Sequence, residues 1–311
     1  MDEKIKKRLE KQHYAIVGKH SGVKLCHWLK QSLIHQRHCY KQDFYGIHSH
    51  RCLQMAPTIN HCTQNCLFCW RYQGFTEEHL KKADNPQEIL EGSIKAQQRL
   101  ITGFKGDERC DMKKWKEANK PNMVACSLSG EPTLYPKLGD FFEACHQKNM
   151  TTFLVTNGTT PEILEHLDPL PKQLYISLVA PNEITYKKLC NPIIKNGWKK
   201  LNQTLDLLPS LDTRTVIRHT LVQKWNMNDS TIDSYAKLID IAEPDFVEPK
   251  GFVLVGDSRK RLTLENMPSH ESIRSFSKKL GEKIGYEFIN EKPKSRVVLL
   301  SSGKTPAKIK K

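Results

Sequence analysis

The sequence has no apolar run approaching the ~18 residues that a membrane span requires. It also lacks the apolar core of a signal peptide, because Met1 to Arg8 (MDEKIKKR) is charged throughout. Acidic residues are in short supply: 34 Asp and Glu stand against 49 Lys and Arg, a net charge of +15. No internal repeat, no clear linker and no glycine-rich phosphate loop in the first 50 residues can be found. These absences argue against a secreted or membrane protein and point to a soluble, cytoplasmic one. With 311 residues the chain can bury one large or two medium cores. The basic surplus suits a polyanionic partner, nucleic acid being the commonest, or a generally lysine-rich surface. Ten cysteines in a cytosolic chain point to metal or redox chemistry before disulfides.

Three of those cysteines organise the chain. Cys62, Cys66 and Cys69 lie within the run Asn60 to Trp70 (NHCTQNCLFCW), spaced C-x3-C-x2-C. One tight loop with that spacing can wrap three corners of a cubic iron–sulfur cluster. A [4Fe–4S] cluster normally takes four cysteines, so three leave one iron open for chemistry. Zinc is the alternative, but a structural zinc site wants a second local pair, and none follows. The motif is the signature of radical S-adenosylmethionine (SAM) enzymes, which the sequence resembles.

Upstream, Cys26, Cys39 and Cys52 are separated by twelve residues each, amid seven histidines between His13 and His50. Leu25, Trp28, Leu29 and Leu33 suit a short amphipathic helix. The rest of this segment is polar and irregular, and needs something other than packing to hold it. A second metal centre would supply that; the alternative is three small buried hydrophobes.

Leu53–Ala56 reads as a strand leading into the cluster loop. Asn85, Pro86 and Glu88 then start a helix that runs to Ile101. Phe104 to Pro121 is a charged insertion around Trp115, either a solvated face or an RNA contact. Beyond it, strand-like runs at 123–128, 152–156, 173–178, 215–222 and 246–255 alternate with amphipathic helices. Continuous apolar strands separated by helices mean a parallel sheet covered by helices. Six βα units are too few for an eight-fold barrel, so the expectation is an α/β partial (βα)6 barrel spanning 51–256. An N-terminal extension (1–50) precedes it. A C-terminal α+β extension (257–311) follows, whose basic tail from Ser301 is expected to fray.

Ligands of parallel α/β folds bind at the carboxyl ends of strands. Ser129-Gly130-Glu131-Pro132 ends the second strand, where a carboxylate beside a glycine can take an ammonium group. Radical SAM enzymes have a Gly-Gly-Glu-Pro-like turn there that binds the SAM amino group, and Ser129 replaces the first glycine. Thr156 and Asn157 end the third strand and Ser177 the fourth, all candidate SAM contacts. Arg218 lies within the fifth strand and needs an anion, either a SAM carboxylate or a structural acid. Glu248 and Lys250 interrupt the sixth, pointing into the pocket or pairing with each other.

SLSGEPTLYP (127–136), LYISLVAP (174–181) and RTVIRHTLVQKWN (214–226) resemble one radical SAM family in particular, the tRNA 4-demethylwyosine synthases. The resemblance runs from about Cys26 to Val255. It implies a second [4Fe–4S] cluster on Cys26, Cys39 and Cys52. It also implies a tRNA substrate methylated on the guanosine next to the anticodon, and pyruvate as co-substrate. Eukaryotic members carry a flavodoxin-like domain; this chain resembles the shorter archaeal-type form. Its electrons are expected from a separate donor such as a flavodoxin or ferredoxin, and the enzyme is expected to be monomeric. Lys41, two residues after Cys39, is the candidate for a Schiff base with pyruvate. Alternatives are a glycyl-radical-activating enzyme, another RNA-modifying radical SAM enzyme, and a zinc-stabilised RNA-binding protein.

Overall fold

The computed structural model describes residues 1–74 and 76–309. Its elements are α1 (Glu3–Lys11), β1 (Ala15–Val17), β2 (Ser21–Val23), α2 (His27–Ile34), α3 (Tyr40–Tyr45), β3 (Cys52–Ala56), α4 (Pro86–Ile101) and α5 (Met112–Ala118). There follow β4 (Met123–Cys126), α6 (Leu138–Gln147), β5 (Thr151–Thr156), α7 (Pro161–Glu165), β6 (Gln173–Ser177), α8 (Glu183–Cys190) and α9 (Gly197–Leu207). The last are β7 (Arg214–Leu221), α10 (Ile232–Ala242), β8 (Phe246–Gly251), α11 (His270–Ile284), β9 (Glu287–Lys292) and β10 (Val297–Ser301).

The helices start where the sequence supplies caps. Asn85 accepts from the backbone N–H groups of Gln87 and Glu88, with Pro86 at the first helical position of α4. Asp111 and Asn182 do the same for α5 and α8. Between the helices the apolar runs pair as strands. One open sheet results, in the order β1-β2-β3-β4-β5-β6-β7-β8-β10-β9. The six strands β3 to β8 are parallel. They are the expected partial barrel.

The sheet's two faces differ. One packs the helices, with Leu90, Phe141, Phe142, Leu205, Tyr235 and Phe276 in a continuous core. The other carries Ala125, Phe153, Tyr175, Val216 and Phe246, and is covered by the chain's own N-terminal segment: Tyr40, Phe44 and Tyr45 are buried there. The polar reading of residues up to His50 therefore missed α3, whose three aromatics hold it by packing. It also missed the β1–β2 hairpin, which extends the sheet beside β3. A second correction concerns the tail expected to fray. Ile309 N–H donates to Tyr45 O at 3.0 Å, and the Arg214 guanidinium holds the carbonyls of Pro306 and Ala307. The last parallel strand ends at Gly251, short of the run 246–255, its last bonds going to Arg296 on one side and Leu221 on the other.

The charged insertion is also part of the fold. Trp115 donates its indole N–H to Ile101 O at 2.9 Å and packs against the small core of Leu25, Leu29 and Leu33. No helix among the described residues is long and apolar enough to cross a membrane.

Candidate active site

The cluster loop leaves the carboxyl end of β3 and is knitted to the ends of the next two strands. Gly130 makes this possible. Its φ is +73°, and a side-chain carbon there would stand 1.8 Å from Thr58 O and 2.6 Å from His61 O, so only glycine fits. Glu131 N–H bonds His61 O at 2.7 Å, Thr58 Oγ1 donates to Glu131 O at 2.7 Å, and Ser129 Oγ donates to Ile59 O at 2.7 Å. The turn after β4 therefore shapes the loop as well as facing the ligand side.

The Glu131 carboxylate is 2% exposed and held by Thr133 (2.8 Å from its hydroxyl) and by the Asn157 N–H at 2.8 Å. Burial raises its pKa and these hydrogen bonds pull the other way. Asn157 joins β5 to the loop, donating to Thr63 Oγ1 at 2.8 Å with Cys62 Sγ 3.9 Å away. Thr156 is buried, and its hydroxyl accepts from Gly158 N–H at 3.1 Å. Ser177 is half-buried and pairs in register with Arg218.

Cys62, Cys66 and Cys69 sit in this frame. Backbone bonds from Asn65 and Leu67 to Asn191 and Leu189, at 2.9 Å each, tie the loop to the end of α8. Arg261 holds the carbonyls of Leu67 and Cys69 from the other side, and Asp257 N–H bonds Trp70 O at 3.0 Å. Cys190, whose place in the sequence marks it as no more than structural or incidental, hydrogen-bonds Cys66, which together with burial keeps the Cys66 thiol well above its ordinary range. Sequence spacing could not reveal Cys190 or Arg261, which reach the loop from more than a hundred residues away. Burial pushes the Cys62 thiol up to about 11, with Arg71 opposing.

Cys26, Cys39 and Cys52 converge on the face covered by α3. Burial pushes each thiol up, Cys39 and Cys52 to about 12 with the neighbouring thiols adding to the rise, while at Cys26 the Trp28 and Leu29 N–H groups and the charges of Lys41 and Lys250 oppose it. Among the described residues no three His, Cys, Asp or Glu side chains stand together at single-ion distance. Both triads are thiol-only, desolvated and lodged in backbone-tied segments. That donor set fits an iron–sulfur cluster, which thiolates hold.

Lys41 stands beside the second triad. Its Nζ lies 4.2 Å from the centroid of Tyr175 and 4.7 Å from that of Phe153. Among the described residues it has no ion-pair or hydrogen-bond partner for its ammonium. The nearby carboxylate is spent elsewhere: Glu248 accepts from Tyr45 at 2.6 Å, Tyr40 at 3.0 Å and Arg218 at 2.9 Å. Burial and the Arg218 charge lower the Lys41 pKa to about 8. Of the two partners weighed for Arg218, the structure gives the acid. Burial opposes the charge of the guanidinium, but Glu248, with Tyr40 and Tyr175, keeps it charged. Glu248 and Lys250 do not pair with each other; Lys250 Nζ donates to Ser295 O at 2.7 Å.

A profile for the Radical SAM superfamily matches residues 57–234, and one for Wyosine base formation matches residues 241–302. The chain is 52% identical over 306 residues to the S-adenosyl-L-methionine-dependent tRNA 4-demethylwyosine synthase of Pyrococcus abyssi, covering 96% of this chain and 89% of that protein. The chain belongs to the tRNA 4-demethylwyosine synthase family. The enzyme of the same name from Methanocaldococcus jannaschii is 39% identical over 307 residues, 96% of each chain. TYW1 of Homo sapiens is 36% identical, but the match covers only 41% of that longer protein. Among solved structures, TYW1 with a lysine–pyruvate adduct bound superposes with a TM-score of 0.89 at 38% identity, covering 99% of this chain and 98% of that one. The crystal structure of archaeal TYW1 gives 0.81 at 34% identity, covering 99% and 100%. Membership carries SAM and a [4Fe–4S] cluster with it. It sets aside the zinc-protein and activating-enzyme alternatives.

Proposed function

We propose that this enzyme condenses N1-methylguanosine at tRNA position 37 with two carbons of pyruvate to give 4-demethylwyosine. Cys62, Cys66 and Cys69 would hold the [4Fe–4S] cluster, which together with bound SAM would supply a 5′-deoxyadenosyl radical, chemistry that belongs to the cofactor. Gly130 and Glu131 set the loop and receive the SAM ammonium, with Ser129, Thr156, Asn157 and Ser177 lining the same strand ends. That radical would take a hydrogen atom from the N1-methyl group, leaving 5′-deoxyadenosine, and the methylene radical so formed would add to the pyruvate held by Lys41. Two pyruvate carbons enter the new ring and the carboxylate carbon leaves.

The observation that carries this reading is Lys41. A desolvated amine with no counter-ion is neutral for part of the time near pH 8, and a neutral amine attacks a ketone to form an imine. In this reading Cys26, Cys39 and Cys52 hold a second [4Fe–4S] cluster that helps bind the keto acid. A separate donor, such as a flavodoxin or ferredoxin, supplies the electron. The enzyme works as a cytoplasmic monomer. The net charge of +15 gives the folded tRNA its electrostatic hold, and the target base is reached unpaired or extruded.

The test is an anaerobic incubation with methylated tRNA, SAM, pyruvate and dithionite, followed by nucleoside mass spectrometry for the tricyclic base. Borohydride trapping with labelled pyruvate isolates the Lys41 step. Label retained in Lys41→Ala would overturn the assignment.

A further inference from the structure

Three cations, Lys41, Arg218 and Lys250, gather near the second cysteine triad, facing one carboxylate, Glu248. Lys41 and Lys250 each feel the charges of Arg218, Glu248 and Cys39, and both act on Cys26. The three cations differ in how far they are committed. Arg218 spends Nε and Nη2 on Glu248 and Tyr40 and lies 4.2 Å over the Tyr175 ring. Lys41 is the amine that takes the ketone. Lys250 has one hydrogen bond among the described residues, to the neutral carbonyl of Ser295, and its ammonium has three protons to give. Its nearest aromatic is Tyr40, whose ring centroid lies 5.5 Å from Nζ.

Position adds a second argument. Lys250 lies next to the last residue of β8, at the carboxyl end where ligands of such sheets bind. Beside it, Ser295 is 5% exposed and its hydroxyl has no partner, and the neighbouring Arg296 Nη1 is likewise buried and unpaired. A half-buried ammonium bonded only to a neutral carbonyl, and unpaired buried polar atoms next to it, are costly unless an anion binds there. All three residues fall within the segment matching Wyosine base formation and outside the Radical SAM match.

We propose that Lys250, with the Ser295 hydroxyl, is the carboxylate receptor of the keto-acid site, holding the substrate's carboxylate while Lys41 takes its ketone. The proposal rests on the reading of Lys41 given above. It makes Lys250 the residue that selects a 2-oxo acid over a neutral ketone.

The test uses the anaerobically reconstituted enzyme and compares pyruvate with methyl pyruvate, its neutral ester, in borohydride trapping. Lys250→Met should raise the half-saturating pyruvate concentration about tenfold to a hundredfold, the range for losing a charged hydrogen bond. Saturation by methyl pyruvate and the cluster absorbance should stay as in the wild type, and Lys250→Arg should restore much of the pyruvate affinity. Unchanged pyruvate saturation in Lys250→Met would overturn the proposal, as would an equal loss for the ester. Equilibrium dialysis of labelled pyruvate against Lys41→Ala, with and without Lys250→Met, reads the receptor when no imine can form. Binding lost only in the double variant supports it, and equal binding overturns it. Label trapped by Lys41→Ala counts against the imine assignment and leaves the dialysis result to stand by itself.

Discussion

Arg218 and Glu248 meet at 2.8 Å, with the Glu248 side chain fully buried, and this pair is what leaves Lys41 without a carboxylate of its own. Breaking such a pair strands a buried charge, whereas replacing both partners removes the charge altogether. Glu248→Gln is expected to lose about 3–5 kcal/mol in urea unfolding. Arg218→Met combined with Glu248→Leu is expected to recover part of that stability, the rest being lost because the Tyr40 and Tyr45 hydroxyls no longer have an acceptor. A double variant as unstable as the single one would mean that the pair does more than compensate itself.

Gly130→Ala tests the cluster loop. The added carbon meets backbone oxygen atoms of Thr58 and His61, which cannot step aside without moving the loop. The variant should lose the iron of the Cys62, Cys66 and Cys69 cluster, about half of the total when the second triad carries its own cluster, and should not bind SAM, while its far-ultraviolet circular dichroism stays close to wild type. Full iron incorporation in Gly130→Ala would show that the loop is looser than its hydrogen bonds imply.

His219 supplies a pH dependence. Its ring is buried, bonds Leu178 O through Nδ1 at 2.6 Å, and leaves Nε2 unpaired. Burial lowers its pKa to about 4. In the unfolded chain the ring takes up a proton near pH 6.5, so the stability owed to the neutral form is complete above that pH. It is lost as pH falls from 6.5 towards 4. Between pH 7 and pH 5 the loss comes to about 2 kcal/mol. Urea titrations of wild type and His219→Gln at both values measure it; the variant should show a flatter pH dependence by about that amount.

The net charge of +15 predicts how tRNA binding responds to salt. If about 6–10 phosphates are contacted, affinity should fall by about 10³ to 10⁵ between 50 and 200 mM salt. Filter binding across that range gives the slope. Binding indifferent to salt would contradict the electrostatic hold.

Much of this molecule is written locally. The parallel strands are continuous apolar runs, and the helices carry their own caps, as Asn85 and Pro86 do for α4. The cluster loop announces itself by thiol spacing, and Gly130 and Glu131 by their place after a strand. What escaped is non-local. The segment before His50 looked unable to pack because its charged residues hide Tyr40, Phe44 and Tyr45, which become a core only against Phe153, Tyr175 and Phe246. The tail looked free because its anchors, Tyr45 and Arg214, are far away in the chain. Arg218 could be read as a ligand contact or a structural cation until Glu248 stood beside it. Cys190 carried no motif at all.

The strand order has a consequence for synthesis. From β1 to β8 each strand joins the edge left by its predecessor, so the sheet can grow as the chain emerges from the ribosome. Tyr40 and Tyr45, however, meet Glu248 across 208 and 203 residues of chain. The first cysteines made must therefore wait for nearly the last strand. The cluster loop, complete once α8 and the ends of β4 and β5 exist, still needs Arg261. Neither cysteine triad closes until translation is almost over, so iron delivery to a nascent chain would find scaffolding but no finished pocket.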